Sequence, residues 1–120
     1  IDVAMTETAQ AAHYVLPAPS QFEKWEATFF NLEFPKNAFH LRKPLFEPLP
    51  GTLPEPEIYT RLIRAMGALT DDFEELKLAA KTNRLAFAMG FQKLMKQRPE
   101  LVDFGAIILY ETLGPTLPDG

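Results

Sequence analysis

Cysteine is absent from the 120-residue chain. The chain can therefore form no disulfide, offer no thiolate nucleophile and ligate no iron–sulfur cluster by itself. Histidine is scarce. His13 and His40 are the only two, and neither has a second His three to five residues away, which leaves too few donors for a zinc site. No apolar run approaches the ~20 residues needed to cross a bilayer, so no membrane span is expected. Positive charge is not in excess either: 12 Lys and Arg stand against 16 Asp and Glu, for a net charge of −4. That balance argues against a nucleic-acid surface, which needs clustered cations to neutralise phosphates. The local group Lys93, Lys96 and Arg98 reads instead as cations at a helix C-terminus, where they complement the macrodipole. The glycine patterns of phosphate loops, dinucleotide folds and nucleophile elbows do not occur.

What is present divides into three stretches: a partial α/β unit over 1–17, an irregular proline-rich segment over 18–54 and a helical region over 55–120. Ile1 to Met5 reads as the tail of a strand. Thr6 is placed to cap a short helix over Glu7 to Ala12, its hydroxyl accepting from a first-turn amide. His13 to Leu16 reads as a second short strand ended by Pro17. Two strands joined by a helix form a βαβ-like unit, and a parallel pair needs further strands and helices to cover it. That covering is expected from polypeptide beyond this segment. From Pro17 to Pro56 the chain carries eight of its eleven prolines, with at most a turn or two of helix around Phe22 to Phe30. An irregular connection of that length is expected to wrap a larger body.

The second half is regular. Thr52 and Glu55 have capping-box spacing ahead of a helix running to about Gly67, with Ile58, Leu62, Ile63 and Met66 inward. Asp71 and Glu74 repeat the spacing before a helix carrying Phe73, Leu76 and Ala80 on one stripe. A third helix over Arg84 to Gln97 carries Phe87, Phe91, Leu94 and Met95. A fourth begins near Pro99 and runs to Leu113, stopped by Gly114 and Pro115. The fold class expected is thus mixed α/β and mostly helical, with about four helices after the irregular crossing.

Taken alone, these residues name no reaction. Glu23 and Glu26 have the spacing of an acid/base pair on one helix face, which would suit a small hydrolase, but such pairs are usually solvated. Phe22, Trp25 and Phe29 have helical spacing and suit burial against a neighbour.

The run TETAQAAHYVLPAPSQFEKWEATFFNLE resembles a segment of the molybdopterin oxidoreductases, the dimethyl sulfoxide reductase family that includes formate dehydrogenases and nitrate reductases. That family commonly reads T-x-T-A-x-x-A-D-x-V-L-P, followed by a Glu, a Gly and N-x-E. Thr6, Thr8, Ala9, Ala12, Val15, Leu16 and Pro17 match the first part, and Glu23, Asn31 and Glu33 resemble the second. The likeness covers about the first 67 residues. His13 stands where the family has Asp, the Gly after Glu23 is missing, and Phe34, Pro35, Lys36 and Asn37 replace a pair of arginines.

The resemblance implies a parent enzyme that binds bis-molybdopterin guanine dinucleotide with Mo or W and carries out oxo transfer or a two-electron oxidation or reduction of a small substrate such as formate or nitrate. This chain would be an internal segment helping to form the cofactor-binding domain, inactive by itself and holding no cofactor alone. In such domains ligands sit beyond the carboxyl ends of the strands. Thr6, Glu7 and Thr8 are therefore the expected cofactor-facing residues, either as hydroxyl donors with Glu7 as acceptor or, for Thr6, simply as a helix cap. Glu23 and Asn31 would stabilise the crossing or line the cleft. The metal ligand and any iron–sulfur cluster would come from elsewhere in the parent, whose other domains, with an electron-transfer subunit, are the partners implied. The cytoplasm is the compartment expected, with the periplasm as the alternative. A second reading makes the helical region a protein–protein interaction module joined to a proline-rich linker.

Overall fold

The computed structural model describes residues 1–28 and 35–117. In chain order the elements are α1 (Glu7–Ala11), β1 (Glu26–Thr28), β2 (His40–Arg42), α2 (Glu55–Ala65), α3 (Glu74–Thr82), α4 (Arg84–Gln97), a 3-10 segment over Pro99–Phe104, α5 (Gly105–Thr112) and a 3-10 turn over Gly114–Thr116. The fold is mixed α/β and mostly helical. Two compact units divide the chain, Ile1–Ile58 and Tyr59–Gly120.

In the first unit, Thr6 caps α1 as its sequence position suggested: its hydroxyl accepts from the Ala9 N–H at 3.2 Å and donates to Asp2 Oδ2 at 2.9 Å. The flanking strands expected over Ile1 to Met5 and His13 to Leu16 reduce to a single parallel bridge between Asp2 and Pro17. The Asp2 N–H donates to the Leu16 carbonyl at 3.2 Å, and the Ala18 N–H to the Asp2 carbonyl at 3.0 Å. The ladder extends no further because Asp2 also accepts from the Val3 N–H at 2.8 Å, and Thr6 closes a turn onto the Ala4 carbonyl at 2.9 Å. That local turn competes with extended pairing.

The helix expected around Phe22 to Phe30 is not formed over its described part. A turn at Ser20 to Glu23 leads into β1, which pairs antiparallel with β2 in the register Glu26 to Arg42, Ala27 to Leu41 and Thr28 to His40. Two turns of helix are too few to nucleate well without a partner face, whereas the extended chain gains ladder bonds. Phe29 and Phe30 lie outside the described residues.

The helical unit is built round Leu69, Leu76, Ala80, Phe87, Leu101 and Ile108, with Ile63, Phe73, Phe91, Leu94, Met95 and Phe104 packed against them. Phe87 and Phe91, one turn apart on α4, stack with centroids 6.0 Å apart. Gly90 permits close packing of α4 on α3, since a Cβ there would lie 3.2 Å from Leu76 Cδ2. The α3 and α4 stripes read from sequence are thus the core. The α2 stripe is only half right: Ile58 is buried and Ile63 packs inward, but Leu62 is exposed and Met66 is 79% exposed.

Neither expected capping box closes. The Thr52 hydroxyl donates back to the Leu49 carbonyl at 2.7 Å. Asp71 is drawn to Arg98 at 2.9 Å, and the N-cap position of α3 falls instead on Phe73, which adopts a left-handed backbone (φ 53°) without a side-chain cap. Packing of the Phe73 ring on the core offsets a conformation that bulky residues rarely adopt. At its other end α2 stops on Gly67 (φ 69°): the Gly67 N–H reaches the Arg64 carbonyl at 3.0 Å and the Ala68 N–H the Ile63 carbonyl at 3.1 Å, the paired bonds of a Schellman close.

Arg64 then forks onto Glu111, Nε to Oε1 at 3.0 Å and Nη2 to Oε2 at 2.5 Å, while Nη1 donates to the Leu69 carbonyl at 2.8 Å. Both side chains are largely shielded, at 25% and 20% exposure.

Two stability outcomes are expected in urea titrations followed by far-UV circular dichroism. Ile108→Ala, at a site with no exposure, should cost about 2–5 kcal/mol, whereas Met66→Ala should stay within about 0.5 kcal/mol of the parent. Arg64→Lys keeps the charge but loses the planar fork, and should cost about 1–2 kcal/mol; an unchanged midpoint would show that the fork is not holding α2 to α5.

Candidate functional site

The residues singled out from sequence fall at two places in the first unit. Thr6, Glu7 and Thr8 open α1, where all three are exposed. Thr6 is already committed on both sides of its hydroxyl, accepting from Ala9 and donating to Asp2. The Thr6 hydroxyl therefore acts as a cap and a tether, and its proton is engaged. The carboxylate of Asp2 is held below the usual range, chiefly by the Thr6 hydroxyl and then by the Val3 N–H. A guanine dinucleotide requires acceptors for its base and donors for its phosphates. Of the three residues, Glu7 and Thr8 present such groups outward and Thr6 does not, so the donor set fits in part.

Glu23 sits in a different local structure, a turn closed from both sides. Its carboxylate accepts from the Ser20 N–H at 2.7 Å, and its own N–H donates to the Ser20 carbonyl at 3.0 Å. The Ser20 hydroxyl first, and then the Ser20 N–H, hold the Glu23 carboxyl below its ordinary value. Glu26 is on β1, 3.5 Å from the Lys24 ammonium, so Glu23 and Glu26 share no helix face and the acid/base pairing loses its premise. Asn31 lies outside the described residues.

Lys24 also bonds Glu55, the first residue of α2, with its ammonium on Oε1. Burial pushes the Glu55 carboxyl up, but the Lys24 hydrogen bond, a hydrogen bond from the Glu55 backbone and the Lys24 charge together outweigh it and the net shift is downward.

Sequence reasoning missed a groove of about 630 Å³ beside the β1–β2 pair, lined among others by Gln21, Glu26, His40, Arg42 and Lys43. Its two cations rest on aromatic faces. The Arg42 guanidinium lies 5.3 Å from the Phe22 ring centre and donates to the Gln21 carbonyl at 2.7 Å, and the Lys43 ammonium lies 5.5 Å from the Trp25 ring centre. Arg42 Nε is buried without a hydrogen-bond partner among the described residues, consistent with a guanidinium positioned by stacking on an aromatic ring. The aromatic spacing read as a helix face thus serves to seat cations. The one signal that could have found this is the alternation of Arg42 and Lys43 against Phe22 and Trp25 once an antiparallel pairing is assumed.

Among the described residues, no group of three or more His, Asp and Glu side chains is placed to hold a metal ion, and no helix is long and apolar enough to cross a membrane. No family model, curated protein or solved structure matches the chain.

The Glu23 turn gives a pH dependence of definite sign. Its folded pKa is depressed from 4.5, so its stabilising effect is fully present above 4.5 and is lost as the pH falls through the lower folded value. In a carbon-detected NMR titration the Glu23 carboxyl should titrate below 4.5, and Glu23→Gln should flatten the loss of stability on the acid side of that value. A midpoint at or above 4.5 would contradict the turn geometry.

Proposed function

We propose that the chain is an internal segment of a molybdopterin-dependent oxidoreductase, contributing to the domain that binds bis-molybdopterin guanine dinucleotide with Mo or W. The observation that carries this reading is the conformation of the stretch with the family-like pattern: Asp2 and Pro17 meet in a parallel bridge with the Thr6-capped helix between them. A single parallel bridge with a capped helix between its two residues is a reduced form of the crossover that, in full α/β units, places a turn at the carboxyl end of a strand. On this reading Glu7 accepts from, and Thr8 donates to, the dinucleotide, while Thr6 positions the turn. Glu23 holds the irregular crossing through its Ser20 bonds. The cofactor, when bound, supplies the two-electron or oxo-transfer chemistry on a small substrate such as formate or nitrate. The parent's other domains and an electron-transfer subunit complete the enzyme, in the cytoplasm or alternatively the periplasm.

A second reading, a helical interaction module without catalysis, is favoured by one observation. Residues 59–117 possess an apolar core of their own, centred on Leu69, Leu76, Phe87 and Ile108, and need no cofactor to organise it.

Elemental analysis separates the two. The full-length gene product, purified anaerobically from its native host, is expected to carry stoichiometric molybdenum or tungsten and to release a fluorescent pterin on oxidation. The isolated 120-residue chain is expected to retain neither. A native product free of metal and pterin would overturn the oxidoreductase reading in favour of the module.

A further inference from the structure

The stretch from Leu76 to Pro99 carries six cations, Lys77, Lys81, Arg84, Lys93, Lys96 and Arg98, and no Asp or Glu. In a chain of net charge −4 this is a local reversal of sign. Lys77 is paired with Glu74, and Arg98 with Asp71 and Glu100. Among the described residues, Lys81, Arg84, Lys93 and Lys96 form no ion pair.

Helical periodicity sorts α4 into two opposed faces. Phe87, Phe91, Leu94 and Met95 turn inward to the core. Leu85, Met89, Gln92, Lys93 and Lys96 recur at spacings of four, three, one and three residues, which places them on the opposite stripe. Leu85 is 70% and Met89 65% exposed. The first half of the helix is thus apolar on both faces, a pattern usually found where a helix is covered on both sides. A shallow groove of about 420 Å³ runs along this stripe, lined by Met89, Gln92, Lys93, Lys96 and Gln97.

We propose that the outer face of α4 is a docking surface for an acidic amphipathic helix of a partner protein. The order of the stripe selects that occupant. Apolar groups stand in its N-terminal half and free ammoniums in its C-terminal half, over about 16 Å of helix. A partner helix of similar length, apolar in one half and carboxylate-bearing in the other, matches it at both ends. Met89 suits such a contact because an unbranched thioether adapts to an irregular surface. Lys93 and Lys96 supply steering and register through their charge. A membrane surface matches less well, since interfacial helices flank a continuous apolar face with cations, whereas here the cations occupy the face itself. The proposal is independent of the oxidoreductase reading.

The test uses the 120-residue chain and a fluorescein-labelled helical peptide of about 20 residues with Leu in one half of a stripe and Glu in the other, alongside a scrambled peptide of the same composition and vesicles of phosphatidylcholine with phosphatidylserine. Anisotropy should report binding of the patterned peptide that weakens about tenfold or more between low and high salt. The double variant Met89→Asp, Lys93→Glu should reduce it at least about tenfold, with unchanged far-UV circular dichroism because both sites are exposed. In NMR titrations of the parent chain, shifts should concentrate on Leu85, Met89, Lys93 and Lys96. Absence of binding, equal binding of the scrambled peptide, survival of binding in the double variant or binding to vesicles alone would each overturn the proposal.

Discussion

Arg64 holds three acceptors at once, the two carboxylate oxygens of Glu111 and the Leu69 carbonyl. This fork ties the end of α2 and the turn after it to α5. The end of α2 is only a short helix ending in a glycine turn, α5 is short and apolar, and the chain between α2 and α3 has no regular structure. A planar guanidinium with five donors can bind a carboxylate through two parallel bonds and still reach a backbone oxygen, so one side chain fixes the helix, the turn that follows it and a helix far along the sequence. Desolvation works against the pair, yet the Glu111 hydrogen bonds raise the Arg64 pKa still further, and both charges keep a partial view of water. Leu69 lies at the centre of the core, and its carbonyl is satisfied by the same guanidinium. Loss of the fork would therefore leave a backbone acceptor and a carboxylate short of partners beside the apolar cluster.

Much of this unit was legible because helical periodicity is a strong signal. The spacing of Phe87, Phe91, Leu94 and Met95 marks α4 as a helix, while its start is set by Asn83, which accepts from the Ala86 N–H at 2.8 Å, and its end lies at Arg98, just before Pro99. The caps of α2 and α3 were misread for an identifiable reason. A Thr or Asp three residues before a Glu marks a capping box only if no stronger partner competes, and Asp71 has Arg98 while Thr52 has the Leu49 carbonyl. Those partners are remote in sequence or are backbone atoms, neither of which a residue pattern reveals. Met66 was placed inward by period alone, but the Schellman turn follows it directly and leaves it exposed.

In the first unit the sequence gives clear local cues and poor long-range ones. Thr6 as a cap depends on residues three apart. The β1–β2 pairing depends on chain segments separated by an irregular stretch, and nothing in Phe22, Trp25 or Arg42 alone announces that aromatic rings would carry cations. The same holds for the candidate site. That Thr6 stands at a helix start could be read, but that its proton is engaged by Asp2 could not, because the bond depends on the tight turn between them.

The energetics of residues 1–58 bear on how this unit becomes ordered. Its buried apolar side chains include Ala9, Ala18 and Ile58, of which two are alanines, while Val3, Met5, Phe39, Phe46 and Leu49 are each more than half exposed and Tyr14 is 89% exposed. Fixing a residue's backbone costs about 1–2 kcal/mol, and burying a large aliphatic or aromatic side chain returns about 1.5–3 kcal/mol. Alanines return far less. With so few large side chains inside among its described residues, the segment relies on polar contacts such as the Asp2–Pro17 bridge, the Ser20–Glu23 turn and the Lys24–Glu55 side-chain ion pair, whose net contributions in contact with water are small. The apolar groups left outside are those whose burial would shift the balance. A surface that covered Val3, Met5 and Tyr14 would also flank the turn at Thr6, so on the oxidoreductase reading one body of polypeptide would both stabilise the crossover and bring Glu7 and Thr8 into a cleft. Under that arrangement cofactor binding and ordering of this unit are linked, since the contacts that build the cleft are the ones that supply the missing burial.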